Sequence, residues 1–365
     1  MRYLVVSMFK LFGAKSKLGI DIGTSSIKLV ELSNSGGRYK LENYGLFELK
    51  GQSGANDAQS ILKLPDEEIV WGIKEVIKKS NFKTRDVVAA IPSFSTFTTV
   101  IQMPYLSEED LAKALPFEAR KYVPIPLDEV VLDWSIVGIL DQSATTPTPG
   151  AGTAKTIVEV FLAAVPKDET ARYQRIMQAA GLNLVALELE NAGLIRALLG
   201  NDLSSTAIVN IGGRSTSMVV VSKGYERLSH NYEIGGFEIT KSIARSLNIS
   251  LEKAEDLKHR LGLTDSNENI IKEAMTSLVD MMIFETKKTI STFEETKNQK
   301  VTRVVLVGGI VNMPNFVNYF KERLGRDVYI GNVFSRIVHP QELTPVVQEL
   351  SNNFSIAAGL AMREI

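Results

Sequence analysis

The chain of 365 residues contains no cysteine. Disulfides, thiolate nucleophiles and cysteine-held zinc or iron–sulfur centres are therefore excluded. Histidine is almost as scarce. The three present, His230, His259 and His339, stand too far apart for a sequence-local zinc site. Neither sign of charge dominates: 41 Lys and Arg oppose 42 Asp and Glu, for a net charge of -1. That leaves no basic footprint for a polyanion, so nucleic acid is not expected as a partner. No apolar run reaches the roughly 18 residues that a membrane-spanning helix requires. The missing cysteine agrees with a reducing, cytoplasmic setting.

What is present is an ordinary globular composition, 44% hydrophobic and 23% charged. At about 150 residues per domain, the length implies two or more domains. The opening "MRYLVVSMFKLFGAKSK" reads in several ways: a poor signal peptide, an apolar and basic segment lying on a membrane surface, or a loose tail with Met8 as the true start. Regular structure is expected from Leu18. Strands at Leu18–Ile22, Ile27–Leu32 and Tyr39–Lys50 form a meander, and a polar loop follows at 51–60. Helical spacing then runs from Asp66 to Asn81, and "VVAAIP" reads as a buried strand ended by Pro92. A second unit starts with a strand at Thr96–Gln102. Ser107 with Asp110 reads as an approximate capping box opening a helix that continues to Tyr122. Strands near Val130–Val137 and Ile157–Val165 flank "DQSATTPTPGAGTAK", a Thr-, Pro- and Gly-rich hairpin loop. Helices follow at Asp168–Ala180, stopped by Gly181, and at Glu190–Leu199.

The informative stretch is "IDIGTSSIKLV", because a similar pattern returns as "VNIGGRSTSMVV". Ile22, Gly23, Ser26 and Val30 match Ile211, Gly212, Ser215 and Val219. A strand–turn–strand unit repeated half a chain apart suggests two related domains. Each turn is built of small residues whose backbone N–H groups converge, a concavity that favours phosphate. Gly23, Thr24, Ser25 and Ser26 form the first, and Lys28 adds positive charge. Gly212, Gly213, Arg214, Ser215 and Thr216 form the second. Asp21 precedes the first turn on its strand, where a carboxylate would hold water or Mg2+ on a phosphate. The equivalent position holds Asn210, which ligates without charge. No Gly-Lys-Ser/Thr opens a helix, so this is not a Walker loop.

Further along, helices are expected at Leu251–Leu261, Asn267–Lys297 and Pro314–Leu324. A buried strand at Val304–Val307 runs into Gly308-Gly309. Two glycines between strand and helix let a flat ring approach the backbone, or simply serve helix packing. Glu255 and Lys258 stand i, i+3 on one helical face, the spacing of an exposed ion pair. The terminal "SNNFSIAAGLAMREI" reads as a helix returning to the first domain.

These pieces in this order resemble the actin/Hsp70/sugar-kinase ATPase superfamily. "DIGTSSIK" and "NIGGRSTS" look like its two phosphate motifs, "VGGIVNMP" like its adenosine motif, and "AEDLK" like its nucleoside-facing helix. With "FEARKYVPIPLDEVVLDW", "AEDLKHRLG" and "SIAAGLAMRE", residues 18–364 resemble the PilM family, actin-like proteins of type IV pilus assembly related to the division protein FtsA. The resemblance implies an α/β, two-lobed, ribonuclease H-like ATPase fold with an FtsA-type small inserted subdomain. It places an N-terminal tail at 1–17 and the first lobe at 18–92 and 167–204. The inserted subdomain would occupy 93–166, the second lobe 205–345 with its own small part near 238–300, and the returning helix 346–365. It also implies ATP and Mg2+ as cofactors, with Asp21 and Asn210 facing the metal through water and Glu255, Lys258, Gly308 and Gly309 beside the nucleoside. Glu188 and Glu190 lie where some relatives carry a water-orienting acid, although a solvated helix face accounts for them as well. The superfamily normally has Asp in place of Asn210, so nucleotide binding with weak or absent hydrolysis is expected. The partner would be the N-terminal cytoplasmic peptide of a PilN-like inner-membrane protein, held in a groove between the first lobe and the inserted subdomain; the apolar residues interspersed along Leu111–Val123 fit such a groove, and core packing explains them equally well. That would make this chain cytoplasmic and peripheral to the membrane through its partner. The pilus motor ATPase and a second copy of the chain are further candidates. The alternatives are an FtsA-like filament former, which usually ends in a linker and amphipathic helix whereas this chain stops at "LAMREI", and a sugar-kinase-like phosphotransferase, for which no acceptor-side base is evident.

Overall fold

A computed structural model describes residues 6–7, 16–49, 65–140, 156–264 and 269–364. Three sheets organise the described residues. The first begins with the expected meander, Ser16–Ile22, Ser26–Ser35 and Arg38–Glu48, paired antiparallel. The strand Ser16–Ile22 then runs parallel to Asp86–Ile91, which runs parallel to Asn183–Leu189. The second sheet repeats this plan. Thr206–Ile211, Thr216–Ser222 and Tyr225–Tyr232 form an antiparallel meander, and Thr206–Ile211 runs parallel to Arg303–Val307, itself parallel to Val328–Ile330. The repeat seen in the two turns thus extends to sheet topology. A third sheet orders Phe97–Pro104, Ile157–Pro166 and Val130–Leu140 antiparallel, with the helix Glu108–Ala119 against it.

Period-two alternation decides what each face of the first sheet meets. On Ser16–Ile22, the side chains of Leu18, Ile20 and Ile22 enter a core shared with the helices Asp66–Ser80 and Lys167–Ala179. Gly19 faces the other way, against the helix Val347–Ala361. That helix and Glu190–Leu198 lie between the two large sheets: Leu194, Ile195, Ile356 and Leu360 share one core with Val88 and Ala186 of the first sheet and Ile208, Val219 and Val305 of the second. The two helices cross backbone to backbone, for a Cβ added at Gly359 would meet the Gly193 carbonyl oxygen at 2.0 Å. The far face of the second sheet buries Val209, Ile211, Met218 and Val220 under Gly236–Leu247, Asn269–Lys297 and Phe316–Leu324.

Several sequence expectations shift. The strand Asn183–Leu189 was not anticipated, and it puts Glu188 on a strand rather than a helix. The helix from Ser107 ends at Ala119 instead of Tyr122, because Pro124 holds Val123 out of the helical region and the chain leaves in tight turns. Its start follows the capping expectation: Ser107 Oγ accepts from the Asp110 amide at 3.1 Å. The helix expected at Pro314–Leu324 begins at Phe316, two residues past Pro314, since Gly309–Asn312 takes a 3-10 turn and Asn315 has φ +58°. Within the expected tail, Val6–Ser7 pairs antiparallel with the strand Asn183–Leu189 at Leu187 and Ala186, and Ser16 and Lys17 already belong to the first meander. The polar loop at 51–60 and the Thr/Pro/Gly stretch 141–155 lie outside the described residues. The strands flanking the latter do pair, with Leu140 opposite Ile157.

Candidate functional site

The two repeated turns close in the same way. Gly23 N–H donates to the Ser26 carbonyl at 3.0 Å and Gly212 N–H to the Ser215 carbonyl at 2.9 Å. Each turn is flanked in the same register, with Asp21 opposite Lys28 and Asn210 opposite Ser217. The turns meet tip to tip: a Cβ built on Gly213 would lie 2.4 Å from Ser25 Oγ and 3.6 Å from Thr24 Oγ1. Small residues at these positions are what permit the approach. Behind the tips opens a cleft of about 1220 Å³ lined by both turns and by Asp21, Lys28 and Asn210.

Asp21 is buried, 2% exposed, and its Oδ2 accepts from Lys28 Nζ at 3.1 Å. Lys28 thus balances Asp21 directly. Asn210 donates weakly to Ser217 Oγ at 3.4 Å. Arg214 does not reach across the cleft. Its guanidinium lies 4.3 Å over the Phe237 ring, and burial lowers its pKa. The turn Gly212-Gly213 is in turn held from behind, its carbonyls accepting from the amides of Gly236 and Phe237 at 3.0 and 2.7 Å. Both amides belong to the first turn of a helix, whose leading N–H groups need acceptors outside the helix.

The opposite wall carries Glu255 and Lys258, and here the exposed ion pair suggested by their spacing is corrected. Lys258 is 5% exposed, bonded to Glu255 Oε2 at 2.7 Å, to Thr240 Oγ1 at 3.0 Å and to the Gly236 carbonyl at 3.3 Å. Burial alone would raise the Glu255 carboxyl, but hydrogen bonds from His259 and Lys258 outweigh it and hold the group down at about 2. Burial lowers the Lys258 ammonium, against the pull of Glu255. Thr240 and Gly236, which seat this lysine, carried no sequence signal beyond lying on an amphipathic helix. Gly308 and Gly309 line the same wall. Gly308 takes φ +103°, and a Cβ there would stand 2.1 Å from the Ile211 carbonyl oxygen, so this glycine is required by the approach of two strands.

The two candidate acids separate. Glu188 does not line the cleft; Arg196 forks onto both its oxygens and Arg363 approaches it at 3.7 Å, a buried structural ion pair. Glu190 does line the cleft, and it is half-buried there rather than on a solvated helix face. Its Oε2 accepts from the Ser93 amide at 3.1 Å and from Ser93 Oγ at 3.2 Å. Burial and the nearby charge of Asp21 push its carboxyl up to about 7, against those two hydrogen bonds. Ser93 was missed in the sequence, where Pro92 read only as the end of a strand.

Chemically, the cleft offers backbone amides at two turns, hydroxyls at Thr24, Ser25 and Ser215, the ammonium groups of Lys28 and Lys258, and the carboxylates of Asp21, Glu190 and Glu255. That donor set would suit a polyphosphate carrying a divalent cation, for which Asp21 would supply the carboxylate. Among the described residues no three His, Asp or Glu converge as a metal cage.

Two sheets of one topology, with a helix pair between them and their first turns opposed across a cleft, define the actin-like two-lobed ATPase fold. The fold is shared with a solved PilM-PilN type IV pilus biogenesis complex, TM-score 0.78 and 23% identity over 95% of this chain and 98% of that one. It is shared also with MreB 5 of Spiroplasma citri bound to AMPPNP, TM-score 0.53 and 11% identity over 95% of each. The cell division protein FtsA of Bacillus subtilis is 24% identical over 267 residues, 65% of this chain and 59% of that protein's length. The family described as type IV pilus assembly protein PilM matches residues 19–365, and the chain belongs to that family. No helix among the described residues is long and apolar enough to cross a membrane.

Proposed function

We propose that the cleft binds ATP with Mg2+ and that the chain is a scaffold of a type IV pilus or related machine, docking the N-terminal tail of a PilN-like inner-membrane protein. The observation that carries the nucleotide reading is the contact between the two turns, Gly213 against Ser25, with Asp21 and Asn210 on the strands that enter them. Phosphates sit in the cleft behind the tips and the nucleoside against Gly308, Gly309, Glu255 and Lys258. The AMPPNP in the MreB 5 structure supports this reading. With Asn210 neutral, one carboxylate is left to organise metal and water, so hydrolysis is weak or absent and Glu190 is the remaining acid able to orient a water. The peptide docks on the unit built from the third sheet, residues 93–166. There Leu111, Leu115, Ala119 and Val123 are core, while Phe117, 71% exposed, and Tyr122 present apolar surface. The partner named in the PilM-PilN complex supports the choice of peptide. Through it the chain is peripheral to the inner membrane.

Calorimetry with Mg2+ and ATP, with and without the tail peptide, tests both parts. Heat in both titrations is expected, and its absence in both overturns the reading. The likeness to FtsA favours a second reading, a filament-forming protein. Nucleotide-dependent sedimentation of the purified chain would support that one.

A further inference from the structure

The strand Tyr225–Tyr232 is the outer strand of the second sheet, yet the third sheet grips it on both of its faces. On one face Glu226, 8% exposed, accepts from Thr98 Oγ1 at 2.9 Å and from Asn191 Nδ2 at 3.0 Å, while Thr98 also bonds Ser229 Oγ at 2.9 Å. On the other, Arg227 donates to Glu159 Oε2 and to the Val137 carbonyl, both at 2.8 Å. Lys297, at the end of the long helix under the second sheet, closes this cluster by donating to Glu159 Oε1 at 2.9 Å. Thr98, Val137 and Glu159 belong to the three strands of the third sheet.

Such a cluster is poorly explained as a stability device. Taking a carboxylate and a guanidinium out of water costs about as much as their attraction returns, and apolar replacement is often neutral. What a buried, fully bonded ionic contact does fix is registry. The third sheet already lies apolar side down on the first lobe, where Val137, Phe161, Ala163 and Val165 share that lobe's core. The ionic and hydroxyl contacts add a second attachment, to the other lobe.

The strand continues straight from this grip into the cleft. Ser229, His230, Asn231 and Tyr232 line it. Four and five residues on, Gly236 and Phe237 hold the carbonyls of Gly212 and Gly213. Asn231 Nδ2 also donates to the carbonyl of Ser93, which bonds Glu190. A continuous run of backbone, Glu226 to Phe237, therefore joins the contacts with the third sheet to the hydrogen bonds that hold the second turn.

We infer that the strand Tyr225–Tyr232 is a mechanical link that ties the setting of the third sheet to what occupies the cleft, with Arg227–Glu159–Lys297 and Glu226–Thr98 as its clamp. The inference rests on the cleft's being a nucleotide site. The two lobes cannot shift about the cleft without this strand moving, and the clamp passes that movement to the sheet. Coupling of this kind is reciprocal, so a ligand held by the third sheet alters affinity in the cleft by the same factor.

Hydrogen exchange of the full chain, without and with Mg2+ and ATP, tests it in three proteins: the native sequence, Arg227→Met, and the charge-neutral pair Glu159→Gln/Arg227→Met, which leaves no buried unpaired charge between those positions. In the native chain, ATP should slow exchange at residues 21–26 and 210–217 and also, at least about fivefold, at 97–104 and 157–163. In both variants the first effect should persist and the second vanish. Retention of the second effect in both variants overturns the inference, as does its absence from the native chain while the turns are protected. If ATP protects neither turn, the nucleotide reading fails instead. Exchange in the ligand-free variants then decides the clamp: faster exchange at 229–237 than in the native chain supports it, and unchanged exchange overturns it.

Discussion

Gly308 shows how narrowly some single positions are constrained. With φ at +103° and the Ile211 carbonyl 2.1 Å from any Cβ, alanine fits neither the backbone conformation nor the space. Gly308→Ala should lower the unfolding free energy by at least about 2 kcal/mol, measured by denaturant titration. An unchanged midpoint would show that the strand junction relaxes. Charge at the paired positions of the two turns sets a second expectation. Asp21→Asn should weaken Mg2+-dependent ATP binding about tenfold or more, whereas Asn210→Asp should leave binding intact and raise phosphate release. No added release would mean that hydrolysis is limited elsewhere. Glu190 gives a pH signature. Burial and Asp21 raise its folded carboxyl to about 7, so the native state holds a proton that the unfolded chain has given up. The stability linked to this group is complete below the ordinary carboxylate range and is lost as pH rises through about 7. Glu190→Gln should abolish that decline, so thermal melts of the two proteins should diverge in favour of the variant above neutrality. Parallel melting curves would count against a raised carboxyl.

At the scale of elements, caps and turns were the features most readable beforehand. Ser107 caps its helix through the Asp110 amide, and Ser107→Ala should cost about 1 kcal/mol. Gly181 and Gly325, placed after helices, both take positive φ. The repeat was legible from four matched residues because a two-strand turn is a local structure, set by small residues and period-two burial. What stayed hidden was whatever partners across the fold decide. The strand Asn183–Leu189 exists because Asp86–Ile91 offers it a parallel edge, and no local pattern announces that. Glu188 and Glu190 are two residues apart and point to opposite fates, one to Arg196 and one to the cleft, since a strand ends and a helix begins between them. Lys258 read as a surface charge because its acceptors, Thr240 and the Gly236 carbonyl, come from another helix.

Over the whole molecule, the two large sheets share a plan but not a history along the chain. The second sheet and its helices draw their core from residues between Ala207 and Val328, one continuous stretch. The first sheet borrows from far downstream: Val30, Leu32 and Leu41 are buried against Val333, Phe334, Phe354 and Ala357. The order in which a ribosome delivers residues therefore inverts the order of the lobes. The lobe begun first must wait, with an apolar flank bare, until the stretch from 333 to 361 emerges, while the far face of the second sheet is covered by residues already made. Newly made chain is thus exposed longest along the flank of Val30 and Leu41, and a chaperone that shields nascent sheets would find its ground there.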